Sequence, residues 1–563
     1  MTAGGLEGGV PRMFKNTASD ALMLTHRGLA VSKTALTKAE TATMRAALTV
    51  KPRATSSYAV AEPFAIYYES PTRWYVPRYW DCPEGVTDVR TEGRPLRAEL
   101  QFNKTLRPEQ LPIVDAFKAG NYDGLICVPC GYGKTFMAIW LACQLRRRFL
   151  IVVHQEFLME QWRKELEGSV PGIRIGVIQQ DKIQTERMEI AEPTVAEIKE
   201  RLRALGLKVG ESKSELLARL NVVEQVTTAL TIPEIKEKLR AHDLPISETR
   251  AELLARLRAV EPAPEPPEYD CCICMLQTVA ARDWPLDTFA GFGFTIFDEC
   301  HHLGAAHFSR ALMSIQTRHM LGLSATPERL DGLDDVFRWF IGPIRYQIKV
   351  READDTVEVR VIKYEDADPA YADEPTDWRG EIVRSRLCNQ LTEHGPRTLA
   401  ITTELEPALR EGRKLLVLSD RREHLKEFEA EFKKLGFTSI GYYVGGMTAE
   451  GRDEASKEQI ILATFTMAAE GMNIRDLNTV LLATPKSRIE QAVGRIFRLK
   501  KEERTFAPVI YDVVDSHGCL QGQAKKRMSF YKQCGYRLMY KKEGAWAEKG
   551  KAPVAEAKPM FRS

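Results

Sequence analysis

"GLICVPCGYGKTFMAIWLACQL", Gly124 to Leu145, passes from an apolar run through a glycine-containing turn into an apolar helical pattern. Strand, turn, helix is the context in which "VPCGYGKT", Val128 to Thr135, makes a phosphate-binding loop. Gly131 and Gly133 let backbone N–H groups curl around a β-phosphate at a helix N-terminus, where negative charge is favoured. Lys134 is spaced to reach the β/γ oxygens, and the Thr135 hydroxyl to ligate Mg²⁺. Val128, Pro129, Cys130 and Tyr132 complete the loop, and Val128 departs from the small residue usual at its first position. A chance glycine turn is the bland alternative, and the flanking pattern argues against it.

Downstream, "TIFDECHH" ends an apolar strand in Asp298 and Glu299, one carboxylate for Mg²⁺ and the next for an attacking water. Cys300, His301 and His302 lack a second pair at zinc-ligand spacing. Cys127, Cys130, Cys271, Cys272 and Cys274 alternate along strand patterns and read as core thiols. Ser324-Ala325-Thr326 follows another apolar run. Near the other end, "QAVGRIFR" places Arg495 and Arg498 on one helical face, with Gln491 and Gly494 at fixed offsets downstream of "ATFTMAAEGMN". A guanidinium aimed at a γ-phosphate neutralises charge as the bond breaks.

Around these motifs short apolar runs alternate with helical patterns, which argues for parallel sheets covered by helices. The fold class is α/β: two lobes with parallel sheets, an inserted helical repeat and an N-terminal mixed α+β segment. The organisation reads as a disordered start (1–21), an accessory domain (22–96), and an ATP-binding lobe 1 (97–182 and 269–348). A solvated connector (349–411), a lobe 2 (412–515) and a basic tail (516–563) follow. In the accessory domain, "FAIYYESPTRWYVPRYW" reads as aromatic strands around a Ser-Pro-Thr turn. The tail from Gln521 carries 11 Lys and Arg against 3 Asp and Glu, interleaved with aromatic residues. It suits either a nucleic-acid contact or a solubilising tail.

Lobe 1 is interrupted by a duplication. "TVAEIKERLRALGLKVGESKSELLARL" (194–220) returns as "TIPEIKEKLRAHDLPISETRAELLARL" (231–257), identical at 16 of 27 positions, and a Pro-rich linker (261–268) follows. Each copy reads as helix, bent loop, helix. Units this short rarely support a core alone. Packing of two amphipathic helices on the lobe is the alternative to a binding role.

The 563 residues leave room for several domains, and a net charge of +3 makes any basic surface local. Eleven cysteines without framework spacing fit reduced thiols in an intracellular, soluble protein. No apolar run approaches membrane-spanning length, so no membrane partner is expected.

The ordered set "LRPEQ", "PCGYGKT", "DECHH", "SAT", "ATFTMAAEGMNI" and "QAVGRIFR" resembles the superfamily 2 helicases and translocases. Within them the chain looks like the xeroderma pigmentosum B-type group and the helicases of large cytoplasmic DNA viruses, including the poxvirus transcript-release type. The resemblance implies that the two lobes are RecA-like and close on ATP and Mg²⁺, with Arg107 and Gln110 at the adenine, Val128 to Thr135 at the phosphates, and Gly471 at the lobe interface. It further implies Glu299, Lys134, Arg495 and Arg498 in catalysis, with His301, Ser324, Thr326 and Gln491 coupling nucleotide state to the nucleic acid. Each duplicated unit resembles the SAP motif, which would present Ser212, Lys213, Thr249 and Arg250 to duplex phosphates.

The expected partner is double-stranded DNA, with single-stranded DNA or an RNA–DNA hybrid as variants. RNA polymerase or replication and repair factors are expected beside it, in the cytoplasm or nucleus of an infected host. An RNA helicase and a DNA-tethering scaffold with weak ATPase are the competing functions. A nuclease-coupled motor lacks a clustered acidic motif.

Overall fold

The computed structural model describes residues 13–14, 17, 21–53, 62–83, 85–129, 131–185, 188–191, 269–285, 288–325, 328–329, 331–348, 353–472, 474–497, 499 and 501–548. Both duplicated units, and with them Ser212, Lys213, Thr249 and Arg250, lie outside the described residues, as do Cys130, Thr326 and Arg498.

The first sheet comes from the N-terminal segment: β1 (Leu22–Thr25), β2 (Gly28–Ser32), β5 (Tyr68–Glu69), β6 (Arg73–Val76) and β7 (Thr87–Asp88), in the order β5-β6-β2-β1-β7. Helix α1 (Lys38–Ala47) leads to a separate two-stranded pair, β3 (Thr49–Val50) with β4 (Phe64–Ala65). The Ser-Pro-Thr turn joins β5 and β6 as an antiparallel hairpin, Tyr68 opposite Tyr75 and Glu69 opposite Trp74. Phe14, in the stretch expected to be disordered, is instead buried edge-on against Trp80 with ring centroids 5.6 Å apart. An aromatic side chain of that size has enough apolar surface to anchor a chain start.

Lobe 1 is built from α2 (Leu111–Ala119), β8 (Asp123–Cys127), α3 (Lys134–Leu145), β9 (Phe149–Val153), α4 (Glu156–Ser169), β10 (Ile175–Gln179), β11 (Lys182–Thr185) and β12 (Met188–Ala191). After the duplication come β13 (Cys271–Met275), α5 (Leu276–Ala281), β14 (Phe294–Phe297), α6 (Ala306–Ser314), β15 (His319–Ser324), α7 (Asp334–Ile341) and β16 (Ile344–Gln347). The sheet order is β12-β11-β10-β13-β9-β14-β15-β8-β16. All neighbours from β10 to β16 are parallel, and β11 and β12 add an antiparallel edge. The strands β8, β9 and β13 are buried at every residue, as a parallel sheet covered on both faces demands.

Along β9 successive residues serve two cores: Phe149, Ile151 and Val153 join one, Leu150 and Val152 the other. That second core also holds Leu29, Val31, Trp74, Val76 and Trp80 of the N-terminal segment, so the first sheet closes one face of lobe 1. Arg78 fastens the two together. Buried, it pairs with Asp123 at the start of β8 at 2.6 Å and donates to the carbonyls of Thr317, Arg318, Phe340 and Ile341.

Lobe 2 begins earlier and ends later than the motif spacing predicts. Its sheet, β19-β20-β18-β21-β22-β17-β23-β24, includes β17 (Glu358–Tyr364) from the stretch expected to be a solvated connector. Two helices of that stretch, α8 (Arg384–Glu393) and α9 (Gly395–Arg410), pack on the lobe, with Ile401 and Leu405 fully buried. The remaining elements are β18 (Leu415–Ser419), α10 (Arg422–Lys434), β19 (Ile440–Tyr443), α11 (Ala449–Ala455), β20 (Ile460–Thr464), α12 (Phe465–Gly471), β21 (Thr479–Leu482), α13 (Glu490–Val493) and β22 (Val509–Asp515). The expected basic tail supplies α14 (Gly518–Gln533), β23 (Arg537–Lys542) and β24 (Ala545–Glu548). Its charges stand on an apolar frame: Tyr531 is fully buried, and Met539 and Ala547 are buried on the hairpin. No helix among the described residues is long and apolar enough to cross a membrane.

Candidate functional site

The phosphate loop, the acidic pair and the Ser-Ala-Thr turn follow β8, β14 and β15, three strands of which β15 lies between the other two. Their loops therefore meet at the carboxyl edge of one parallel sheet, where α/β folds place ligands. Val128 N donates to the Ser324 carbonyl at 3.2 Å and Asp298 N to the Val152 carbonyl at 3.0 Å, which fixes the loops to one another and to β9.

Gly131 and Gly133 have φ of 91° and 78°, in the left-handed region that side chains disfavour. A Cβ on Gly133 would stand 2.5 Å from Gln110 Nε2. Gln110 is buried, its Nε2 donating to the Tyr132 carbonyl at 2.8 Å while its Oε1 accepts from Arg107 N. Arg107 Nη2 donates to the Gly131 carbonyl at 3.1 Å. The two residues expected at the adenine thus brace the phosphate loop from behind.

Lys134 Nζ donates to the Val128 carbonyl at 3.2 Å and lies 4.0 Å from Glu299 Oε1. Glu299 is buried with φ 45°, a backbone conformation costly for a non-glycine residue. Burial, the largest influence, pushes its carboxyl up, and Lys134 together with His301, His302 and His154 outweighs that and holds it below the usual range. Asp298 is raised, first by burial and then by the charge of Glu299. Trp162 Nε1 donates to Asp298 Oδ2 at 2.8 Å and fixes that carboxylate. Glu299 Oε2 is buried, accepts no hydrogen bond among the described residues and lies 3.4 Å from His301 Nδ1. An unfilled anionic acceptor beside a lysine and a glycine cradle fits a polyphosphate with its divalent cation and a water.

His301 Nδ1 also shares a hydrogen bond of 3.1 Å with Ser324 Oγ, so two of the predicted coupling residues meet. Burial pushes the His301 imidazole down to about 4, so it is neutral at pH 7. The rings of His154, His302 and His301 follow one another, tilted by 31° and 35°, with centroids 4.0 and 4.3 Å apart. Trp162 and His154 carried no sequence signal. Both contacts join β9 or α4 to a loop more than a hundred residues away.

Lobe 2 presents its motif residues differently. Arg495, expected beside the phosphates, is turned into its own lobe, donating to the Ala468 carbonyl at 2.5 Å and the Met472 carbonyl at 2.9 Å. It thereby ties the turn after α13 to α12, which ends at Gly471, with Gln491 half-buried on α13. The lobes touch through Arg452 with Glu160 and Lys164 with Asp453, each pair at 3.6 Å, around a cavity of about 240 Å³ lined by Phe157, Tyr443 and Ile474.

Two family descriptions match this arrangement. "Type III restriction enzyme, res subunit" spans residues 103–329, and "Helicase conserved C-terminal domain" spans 398–500. The chain belongs to the superfamily 2 helicases. Lobe 1 and lobe 2 are the two RecA-like halves of that fold, and the helicase hydrolyses ATP. Several viral proteins are similar to it. A protein of Acanthamoeba polyphaga mimivirus, provisionally named ATP-dependent RNA helicase L396, is 25% identical over 537 residues, covering 92% of this helicase and 86% of the relative. The African swine fever virus protein QP509L, provisionally named likewise, is 26% identical over 291 residues, covering 48% of this helicase and 56% of its own length. Escherichia phage T5 contributes the protein named probable helicase D10, 26% identical over 260 residues and covering 44% and 54%.

Proposed function

We propose that this superfamily 2 helicase is an ATP-driven motor on duplex DNA, of the xeroderma pigmentosum B-like and poxvirus transcript-release kind. The carrying observation is the buried Glu299 with an unfilled acceptor oxygen beside Lys134 and the glycine cradle. In this reading Glu299 takes the proton of the attacking water, and Lys134 holds the terminal phosphates. Thr135 and Asp298 would hold Mg²⁺, which supplies positive charge to the phosphate oxygens. Arg495 and Arg498 act from lobe 2, and His301, Ser324, Thr326 and Gln491 link the nucleotide to the track. Arg495 must then leave its carbonyl partners as the lobes close.

DNA is preferred over RNA because two SAP-like units interrupt lobe 1, adding phosphate contacts and effective concentration on a duplex. The names of the mimivirus and swine fever virus relatives favour the second reading, an RNA helicase. The setting proposed is an infected cell, alongside RNA polymerase or replication and repair factors.

Phosphate release measured side by side with duplex DNA, single-stranded DNA, RNA–DNA hybrid and RNA separates these readings. Duplex DNA is expected to stimulate most, and stimulation by RNA alone would overturn the DNA assignment. Deleting Thr194 to Leu257 should weaken duplex binding and flatten its salt dependence. Unchanged binding would remove the grip from the duplication.

A further inference from the structure

The loop joining β21 to α13, residues 483–489, is gripped by buried arginines that belong to none of the phosphate-binding motifs. Arg397 of α9 is fully buried and forks onto Asp515, Nε to Oδ1 at 2.6 Å and Nη2 to Oδ2 at 2.9 Å, while Nη2 also donates to the Ala483 carbonyl at 2.9 Å. Arg527 of α14 forks onto Asp512, which also accepts from the Tyr531 hydroxyl at 2.8 Å, and its Nη1 donates to the Lys486 carbonyl at 2.6 Å. Asp512 and Asp515 stand three apart on β22, so they leave the strand on opposite faces. The loop is held from both sides of the sheet.

Stability alone does not call for this. Buried ion pairs can often be replaced by apolar side chains at no cost. Arg397 Nη1 is buried without a hydrogen-bond partner among the described residues, so the fork is kept despite an unfilled donor. What apolar side chains could not do is fix two carbonyls of one loop.

The loop reaches lobe 1. Lys486 Nζ pairs within lobe 2 with Asp420 at 2.8 Å, and the exposed Arg488 crosses to lobe 1, donating from Nη1 to the Glu328 carbonyl at 3.3 Å. Glu328 precedes Arg329, whose Nη1 donates to the His301 carbonyl and whose Nε donates to Asp331 at 2.8 Å. His301 lies 3.4 Å from Glu299. A continuous set of contacts therefore runs from the clamped loop to the acidic pair.

We infer that Arg397 and Arg527 are positioning residues that hold the 483–489 loop so that Arg488, through Glu328, Arg329 and His301, couples lobe contact to Glu299. Spatial continuity does not itself demonstrate coupling, so the decisive measurement is energetic. The readout rests on the motor reading above, in that some polynucleotide must stimulate turnover.

The full chain and its Arg488→Ala, Arg329→Ala, doubly substituted and Arg527→Lys variants are compared with whichever polynucleotide stimulates the unsubstituted protein most. The measurements are kcat and KM for ATP, the Kd of a fluorescent ATP analogue, and the thermal midpoint. Arg488 is exposed, so its loss leaves folding intact. Arg488→Ala should lower stimulated kcat by about 5- to 150-fold, the range of coupling between sites, with nucleotide Kd and midpoint unchanged. The double variant should fall no further than the worse single one, because both act along one series of contacts. Arg527→Lys keeps the charge toward Asp512 but not the planar fork, and should fall between Arg488→Ala and the unsubstituted protein. Undiminished kcat in Arg488→Ala overturns the inference, as do additive losses or a loss that follows Kd. Failure of every polynucleotide to stimulate the unsubstituted protein overturns the motor reading, and the coupling with it.

Discussion

Lobe 1 and lobe 2 share a parallel-sheet plan but treat their charged groups in opposite ways. In lobe 1 the functional side chains converge on space left for a ligand: Lys134 and Glu299 lie 4.0 Å apart, and Glu299 Oε2 has no hydrogen-bond donor among the described residues. In lobe 2 three buried arginines are committed to the lobe's own backbone, Arg495 to the Ala468 and Met472 carbonyls, Arg397 to Ala483 and Arg527 to Lys486. In the proposed motor one half is preorganised for phosphates, which is where electrostatic catalysis gains most. The other is organised to hold loops in place, so its contribution depends on where those loops sit when the halves meet.

The sharpest way to break the comparison is at Glu299. Glu299→Gln keeps the shape but removes the proposed base, and phosphate release should fall about 10²- to 10⁴-fold while the variant still binds a fluorescent ATP analogue. Release equal to that of the unsubstituted protein would make lobe 1 a scaffold.

Next in size are the buried ion pairs, one per lobe. Arg78→Ala leaves Asp123 buried without its cation, and Asp515→Ala leaves Arg397 so. Each should cost about 3–5 kcal/mol. In calorimetry, separate transitions lowered one by each variant would show two independently stable halves. A single shared transition would show that they unfold together.

Acid should act on both halves. His301 in lobe 1 is held at about 4 by burial, and His424 in lobe 2, held at about 3, is pushed down by burial and by the charge of Arg397. Because each binds a proton more readily once unfolded, their stability is fully present above the unfolded value near 6.5 and is lost as pH falls toward the folded values. At pH 5 the loss should be roughly 2 kcal/mol for each. Urea unfolding at pH 7.5 and 5 measures it, and His424→Gln should remove the lobe 2 share. A pH-independent midpoint in the unsubstituted protein would contradict both burial arguments.

The smallest effect is expected at Trp162. Replacing it with Phe deletes the hydrogen bond to Asp298 and should raise that carboxyl further, moving the acid limb of the pH–rate profile upward with a loss of about 1 kcal/mol. An unmoved limb would show that the indole only packs.

Lobe 1 was largely legible because its chemistry is local. Each functional turn is encoded within eight or so consecutive residues, and the apolar runs before them are buried on both faces. Lobe 2's boundaries were not. In "EVRVIKY" the apolar positions alternate with Arg360 and Lys363, and Arg360 stacks over Tyr511 and pairs with Glu358, partners invisible from composition. The acidic residues that follow β17 read as a connector, and the surplus of lysine and arginine after Gln521 masked a helix and a hairpin. Arg397 and Arg527 left no signature at all. Arg397 lies 118 residues from its carboxylate, and the carbonyl that Arg527 holds is 41 residues upstream, so only the folded sheet joins them.

The Arg78–Asp123 pair has a practical bearing on how the enzyme can be dissected. Asp123 opens the very strand that delivers the phosphate loop, and its counter-charge arrives from a module that a motif-based truncation would discard. A minimal motor cut at residue 97 would carry a stranded carboxylate beneath its nucleotide pocket, and its poor behaviour would say nothing about the catalytic residues above.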